Sequence, residues 1–401
     1  MSFSAIAYAR QHQSRFLDEL KALLRIPSVS TDPAHRDDTR RAAETLAAEL
    51  RRIGMENVRL IETSTPDRQG HPLVYADWLH APSAPTALLY GHYDVQPPDP
   101  LDEWLSPPFE PEERNGNLYA RGAVDDKGQM YMHVKALESL LATSAEDGKL
   151  GKLPLNVRVL LEGEEEVGGE GIAAYVATQP ADLKADFALI SDTELFAPGL
   201  PTLCVGLRGM IYTEIEVRGA RTDLHSGMYG GAAPNPFVAL SQIIAKLKDE
   251  SGRILIPGVY DKVVPPSPEE IAAWKALPFN EEHYRETEIG SKTLTGEPGY
   301  SVFERTWARP TLDVHGMPGG FIGAGAKTVI PAKATAKVSL RLVPDMTPAE
   351  TFKLLSDYVQ TIVPPGVDAQ VRLIHSGEPC LIPVDNLYIR AATEALREIW
   401  G

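Results

Sequence analysis

Three short apolar runs, Ala87–Tyr90, Leu155–Leu161 and Phe187–Ile190, each end abruptly in ionisable residues. The first leads, in the stretch LLYGHYDVQP, to His92 and Asp94; the second to EGEEEVGG over Glu162–Gly169; the third to Ser191 and Asp192. Apolar runs of this length, rich in β-branched residues and closed by turn signals, are buried strands. Val74–Trp78 is a fourth. Between them, Gly128–Leu141 places Met132, Ala136 and Leu140 on one face and predicts a helix. This alternation constrains the first half of the chain to an α/β sheet, mixed and mostly parallel, with helices on both faces. Sites in such sheets lie beyond the carboxyl ends of the strands. His92, Asp94, Glu165, Glu166, Asp192 and the aspartates of RGAVDDKG, Asp125 and Asp126, are therefore expected at one edge.

Each piece has an ordinary reading. A His-x-Asp can be a polar strand end, an acidic run a solvated face, and an aspartate before a helix an N-cap. Their recurrence at successive strand ends points elsewhere. Adjacent carboxylates repel, and desolvating them is costly, so a shared cleft requires a counter-ion. One or two divalent cations supply it, and mixed imidazole and carboxylate ligands suit Zn²⁺ or Mn²⁺ better than Ca²⁺ or Mg²⁺.

The second half changes register. Met210–Arg218 alternates at period two, as an antiparallel strand with one buried face does. A helix carrying Phe237, Leu240, Ile244 and Leu247 follows, and Gly252–Pro310 reads as surface excursions. Ala332–Val343, Pro348–Val359 and Ala369–Ile374 read as strand, helix and strand. The expected organisation is a metal-binding domain over 1–206, resumed at 375–401, with a smaller α+β domain inserted over 207–374. With 401 residues the chain is long enough for both. A formal charge of −16 argues against a phosphate-backbone partner. No long uncharged apolar run suggests a membrane span. Charges interrupt the first thirty residues where a secretory leader needs an apolar core, and there are only two cysteines, Cys204 and Cys380. A reducing cytoplasm is the expected setting.

GHYDVQP, RGAVDDKG, EGEEEVGG, ISD and DLHSGMYGG occur in that order, followed by KTVIP and SLRLVPDM. The set resembles the zinc-dependent exopeptidase family that holds carnosinases and other cytosolic dipeptidases, glutamate carboxypeptidases, aminoacylases and succinyl-diaminopimelate desuccinylase. DDKG and DLHSG with YGG look most like the dipeptidase branch. The resemblance implies a zinc-exopeptidase-like fold with an inserted lid and dimerisation domain. It implies two divalent ions, with His92 and Asp192 on one, Glu166 on the other, and Asp125 bridging, commonly through a cis peptide to Asp126. Glu165 would be the general base acting on a metal-bridging hydroxide, and Asp94 would orient His92. His225 of DLHSG would reach the partner subunit's site in a homodimer and polarise the scissile carbonyl. Arg341 would bind the substrate's carboxylate, with Thr328 a further contact.

The family completes its second metal position with a histidine after the small domain. Here the last histidine is His375, in a different context before GEPCL. The expectation is a chain shortened by about fifty residues, about a third of a typical domain, with one complete metal position and one deficient. The function expected is hydrolysis of small peptides with a free carboxyl end. An N-acyl-amino-acid amidohydrolase on the same scaffold is the alternative, and a non-catalytic binding protein with a decayed site the second; the presence of Glu165 and Asp125 weighs against the latter.

Overall fold

A computed structural model describes residues 2–144 and 151–400. The chain divides into two compact units, Met1–Thr202 with Leu396–Gly401, and Leu203–Ala395. The segment 375–395 thus groups with the second unit.

The first unit opens with helices α1 (Ser2–Gln11), α2 (Gln13–Leu24) and α3 (Arg36–Arg52). Asp37 and Asp38 stand in the first turn of α3 and Arg51 and Arg52 in its last, matching the helix dipole. Strands β1 (Glu56–Ile61), β2 (Leu73–Trp78), β3 (Thr86–His92), β4 (Asn156–Glu162) and β5 (Phe187–Ile190) form one mixed sheet in the order β1-β2-β4-β3-β5. The pairings of β3 with β4 and with β5 are parallel, so His92, Glu162 and Ile190 end at the same edge. One face of the sheet packs Val74, Ala76, Leu89, Val157 and Val159 against Leu46 and Leu50 of α3 and Val134 and Leu137 of α4 (Lys127–Ser144). The other face packs Leu73, Tyr75 and Leu160 against Ile172 and Tyr175 of α5 (Glu170–Thr178).

Helix α4 turns a different face inward from the one its apolar spacing suggests. Met132 and Ala136 are exposed, whereas Met130, Tyr131, Val134, Lys135, Leu137, Glu138 and Leu141 are buried. The reason is an ion network beneath the helix. Lys135 Nζ lies 2.5 Å from Glu19 and 3.0 Å from Glu138, and it also bonds Glu49. Arg15 and Arg52 reach Glu138 at 2.5 and 2.6 Å.

In the second unit β6 (Gly209–Arg218), β8 (Thr311–Gly316), β10 (Lys333–Leu342) and β11 (Asp368–Gly377) form an antiparallel sheet in the order β8-β10-β6-β11. A two-stranded ladder pairs β7 (Leu224–His225) with β9 (Val329–Ile330). Buried residues alternate along β6, and Ile211, Ile215, Val338 and Leu340 pack on α6 (Pro236–Ala245) and α7 (Pro348–Ile362). Both helices start at a proline behind a capping side chain, Asn235 and Thr347. The stretch expected as surface excursions holds a capped helix, Pro268–Lys275, and an aromatic cluster in which Phe303 stacks on Trp307. Its elements are too short to show a period in sequence. No helix among the described residues is long and apolar enough to cross a membrane.

Burial works to raise the Glu138 pKa, but its bonds to Arg15, Arg52 and Lys135 outweigh that and hold it at about 2. A depressed folded-state pKa contributes stability above the unfolded value of 4.5 that is lost as pH falls towards about 2. Glu138→Gln should therefore lower stability at neutral pH by on the order of 2 kcal/mol. It should also flatten the acid limb of the curve, as read by urea unfolding between pH 7 and pH 2.5.

Candidate metal centre

Glycine at position 91 lets the end of β3 lie against α4. A Cβ there would meet Met130 Cγ at 2.7 Å and Asp126 Oδ2 at 2.8 Å. The close approach lets the His92 backbone N–H donate to Asp126 Oδ2 at 3.0 Å. It also brings Asp125, joined to Asp126 by a cis peptide, over the His92 ring. His92 Nε2 lies 3.0 Å from Asp125 Oδ1 and 3.6 Å from Asp192 Oδ2. The three side chains form one group of mutually close ligand atoms.

Asp94 organises the other side. It is fully buried, and its carboxylate accepts from Ser30 Oγ at 2.7 Å, Glu166 N–H at 3.1 Å and Glu165 N–H at 3.3 Å. Its Oδ1 lies 3.4 Å from His92 Nδ1, which also meets the Asp94 carbonyl at 3.1 Å. Ser30 arrives through the turn after α2, where Val29 bridges Val95 in parallel. Two left-handed glycines, Gly168 (φ 100°) and Gly169 (φ 62°), fold the acidic loop back on itself. The three glutamates of that loop divide their work. Glu164 is buried and held by Arg68 and Thr63. Glu166 accepts from Gln96 through one oxygen, while its Oε1 is buried without a partner. Glu165 is exposed, with no ion pair among the described residues.

Burial and mutual repulsion set the electrostatics of the clustered carboxylates. Burial raises Glu166 to about 6, and Asp126 and Glu162 each to about 7. Glu165 is raised by partial burial and by Asp192, Asp94 and Asp125. Burial alone would pull the His92 pKa down, but contacts with Asp125, Asp192 and Asp94 push it far up. Yet His92 Nε2 is buried with no aligned hydrogen bond to either carboxylate. Such an orphaned imidazole nitrogen facing two carboxylates fits a divalent ion, which needs one lone pair from each and no N–H alignment. The lysine of the motif does not fill the gap. Lys127 is fully buried, its Nζ donates to the Ile26 and Leu23 carbonyls at 2.7 and 3.3 Å, and burial pulls it down to about 7.

Of the residues singled out in sequence, His92, Asp125 and Asp192 come together, and Asp94 joins them to Glu165 and Glu166. His225, Thr328 and Arg341 belong to the second unit. There His225 Nδ1 accepts from Gly227 N–H at 3.0 Å and Nε2 lies 3.5 Å from Thr328 Oγ1, while Arg341 is exposed on β10. Ser30, Gln96 and Tyr90 carry no such mark in sequence. Glu162, the ionisable residue that ends the Leu155–Leu161 run, stands beside His92 in the parallel register and accepts from Tyr90 Oη at 2.5 Å. That strand-end position is its signal, although it is not among the expected ligands.

Residues 88–401 match the model of peptidase family M20/M25/M40. The chain is 34% identical over 403 residues to the Cys-Gly metallodipeptidase DUG1 of Candida albicans, covering 96% of this chain and 81% of that protein. It is 31% identical over 406 residues to the human Beta-Ala-His dipeptidase, covering 98% and 79%. Among solved structures, Dug1p of Saccharomyces cerevisiae superposes with a TM-score of 0.84 at 29% identity, covering 100% of this chain and 85% of that one. Human carnosine dipeptidase 1 does so with 0.83 at 30%, covering 99% and 84%. The chain belongs to peptidase family M20/M25/M40. Membership implies a divalent metal cofactor, and the group around His92 is where this chain presents ligands for one.

Asp94→Asn keeps the shape of the side chain but removes the charge that faces His92 and the two loop N–H groups. It should weaken binding of zinc, used as the probe ion, by ~10- to 100-fold in equilibrium dialysis. Unchanged affinity would show that the carboxylate does not orient the ligand ring.

Proposed function

We infer that this protein is a metal-dependent dipeptidase, hydrolysing the peptide bond of small peptides with a free carboxyl end. The observation that carries the reading is the His92–Asp125–Asp192 group with its orphaned Nε2, in a chain alike over nearly its whole length to named dipeptidases. His92, Asp125 and Asp192 would hold an ion, and Glu166, with its unpartnered Oε1, would serve a second one shared with Asp125. Zinc or manganese suits these donors. Bound ions supply Lewis acidity, polarising the scissile carbonyl and acidifying water.

The chain's own groups do the rest. Glu165 is the one loop glutamate free of a partner, and its raised pKa suits a general base that takes a proton from the attacking water and returns it to the leaving amine. Asp94 keeps the His92 ring and the Glu165 backbone in fixed relation. Since His225 Nδ1 accepts from Gly227, its proton sits on Nε2, ready to donate to a developing oxyanion. We assign that role across a homodimer, with Thr328 beside the ring, and give Arg341 the substrate carboxylate. Sedimentation checks the dimer; a strict monomer at high concentration removes the trans role of His225. The unpaired Cys204 and Cys380 accord with a reducing cytoplasm.

Two measurements test the reading. Across a panel of dipeptides and N-acyl amino acids, dipeptides should be the better substrates; the reverse preference favours the amidohydrolase. Glu165→Gln should lower kcat by ~100- to 10,000-fold while the bound-metal content stays at the wild-type level. Unchanged turnover sinks the role of Glu165.

A further inference from the structure

The open face of the second unit's sheet carries two arginines with no counter-ion. Along β6 the odd-numbered residues from Gly209 to Val217 are buried, and the even-numbered ones face outward. Arg208 precedes the strand in the outward phase. On β10, Arg341 sits opposite Met210, two positions from Arg208. The two guanidinium groups thus stem from diagonal positions on one face, where long side chains reach each other. Of the other cations on this face, Arg218 and Lys333 pair with Glu216 and Arg372 with Glu214, while Lys337, opposite Glu214, is exposed and has no ion pair among the described residues. Neither the Arg208 nor the Arg341 side chain has an ion pair or hydrogen bond among the described residues, and Arg208 Nη1 is buried without an acceptor. Burial and the charge of Arg341 both pull the Arg208 pKa down, with Asp313 pushing the other way.

Two like charges held together, one with a buried donor left open, form a structure that is completed by an anion. The neighbouring groups restrict its shape. Tyr212, on the same face, stacks on His315 with ring centroids 5.1 Å apart, and His315 Nε2 meets Ser339 Oγ at 2.7 Å. The arginines therefore stand beside a flat, satisfied aromatic floor, and their free N–H groups are the unfilled part of the face. Planar forks of this kind match a carboxylate.

We propose that Arg208 acts with Arg341 as a two-guanidinium clamp on the ionised carboxyl end of the substrate, and is a specificity residue that selects free acids over their amides. The proposal rests on the peptidase reading for the identity of the ligand. It adds a second group to the contact assigned to Arg341 alone.

The metal-loaded protein is assayed with a dipeptide and its C-terminal amide, as wild type, Arg208→Gln and Arg208→Lys. Wild type should prefer the free acid in kcat/KM by roughly 100-fold. R208Q should raise KM for the free acid at least ~10-fold with kcat changed less than about twofold, shrinking the preference by the same factor; R208K should recover part of it. A wild-type preference near one, or a preference unaltered in R208Q, overturns the proposal. Should R208Q not fold, as judged by its melting curve, the wild-type ratio and R208K decide alone. If dipeptides are untouched and N-acyl amino acids are cleaved, the dipeptidase reading fails, while the same acid-to-amide comparison on those substrates still judges Arg208. If neither class is turned over, calorimetry with N-acetylglycine and its amide decides instead: tighter binding of the acid by wild type, weakened in R208K, supports the clamp, and equal binding of the two overturns it.

Discussion

The buried carboxylate of Asp94 is the contact on which the rest of the site depends. It joins three separate parts of the chain: the turn after α2 through Ser30, the end of β3 through the His92 ring, and the acidic loop after β4 through two backbone N–H groups. A charge with no exposed surface persists only when several donors compensate its lost hydration. Those donors are what fix the loop, so Glu165 and Glu166 are held by their backbones and their side chains remain available. The one carboxylate therefore links the imidazole to the backbone of the acidic loop.

The local sheet geometry explains why these groups meet. β3, β4 and β5 run parallel, and their carboxyl ends coincide. Asp125 and Asp126 come from the start of α4, which Gly91 allows to settle against the strand end. Polar backbone and side-chain groups at that edge need partners, and much of the inventory is satisfied internally: Asp126 by the His92 N–H, Glu162 by Tyr90, Glu164 by Arg68. What stays unsatisfied is concentrated in His92 Nε2, one oxygen each of Asp126, Glu162 and Glu166, and the exposed Glu165.

Most of the strands were legible because burial imposes a pattern on sequence, continuous apolar runs for strands covered on both faces and then polar residues where cover ends; Phe187–Ile190, expected as a buried strand, does form β5, but Ala188, Leu189 and Ile190 are exposed there. His92 and Asp192 could be picked out by that position, and Asp125 by its place in RGAVDDKG just before a helix. The inward face of α4 was not legible. Its buried stripe includes Lys135 and Glu138, which a hydrophobic pattern assigns to solvent, because their partners Glu19, Glu49, Arg15 and Arg52 lie on other helices or turns far away in sequence. The separate fate of Glu164 was hidden for the same reason: Arg68, nearly a hundred residues earlier, takes it. Arg208 carries no sequence signal because its significance lies in a lateral strand register and in the absence of a partner, and neither is a property of local sequence.

Two groups in the first unit, His92–Asp125–Asp192 and Glu19–Glu49–Glu138, have ligand atoms close enough for a metal ion, and they differ in how their charge is compensated. Glu19, Glu49 and Glu138 are matched by Arg15, Lys135 and Arg52, and Lys135 Nζ occupies the position between the carboxylates. The protein supplies its own cation there, and an added one would have to displace it. Around His92 no lysine or arginine forms an ion pair with Asp94, Asp125, Asp126, Asp192, Glu165 or Glu166 among the described residues. The nearest candidate, Lys127, is turned away onto backbone carbonyls. The ligand atoms of both groups lie within 4.8 Å of one another, but only in the Glu19–Glu49–Glu138 group are the carboxylates matched by lysine and arginine side chains among the described residues. Proximity of ligand atoms is thus common to both groups, and the His92 group differs in having no lysine or arginine paired with its carboxylates among the described residues.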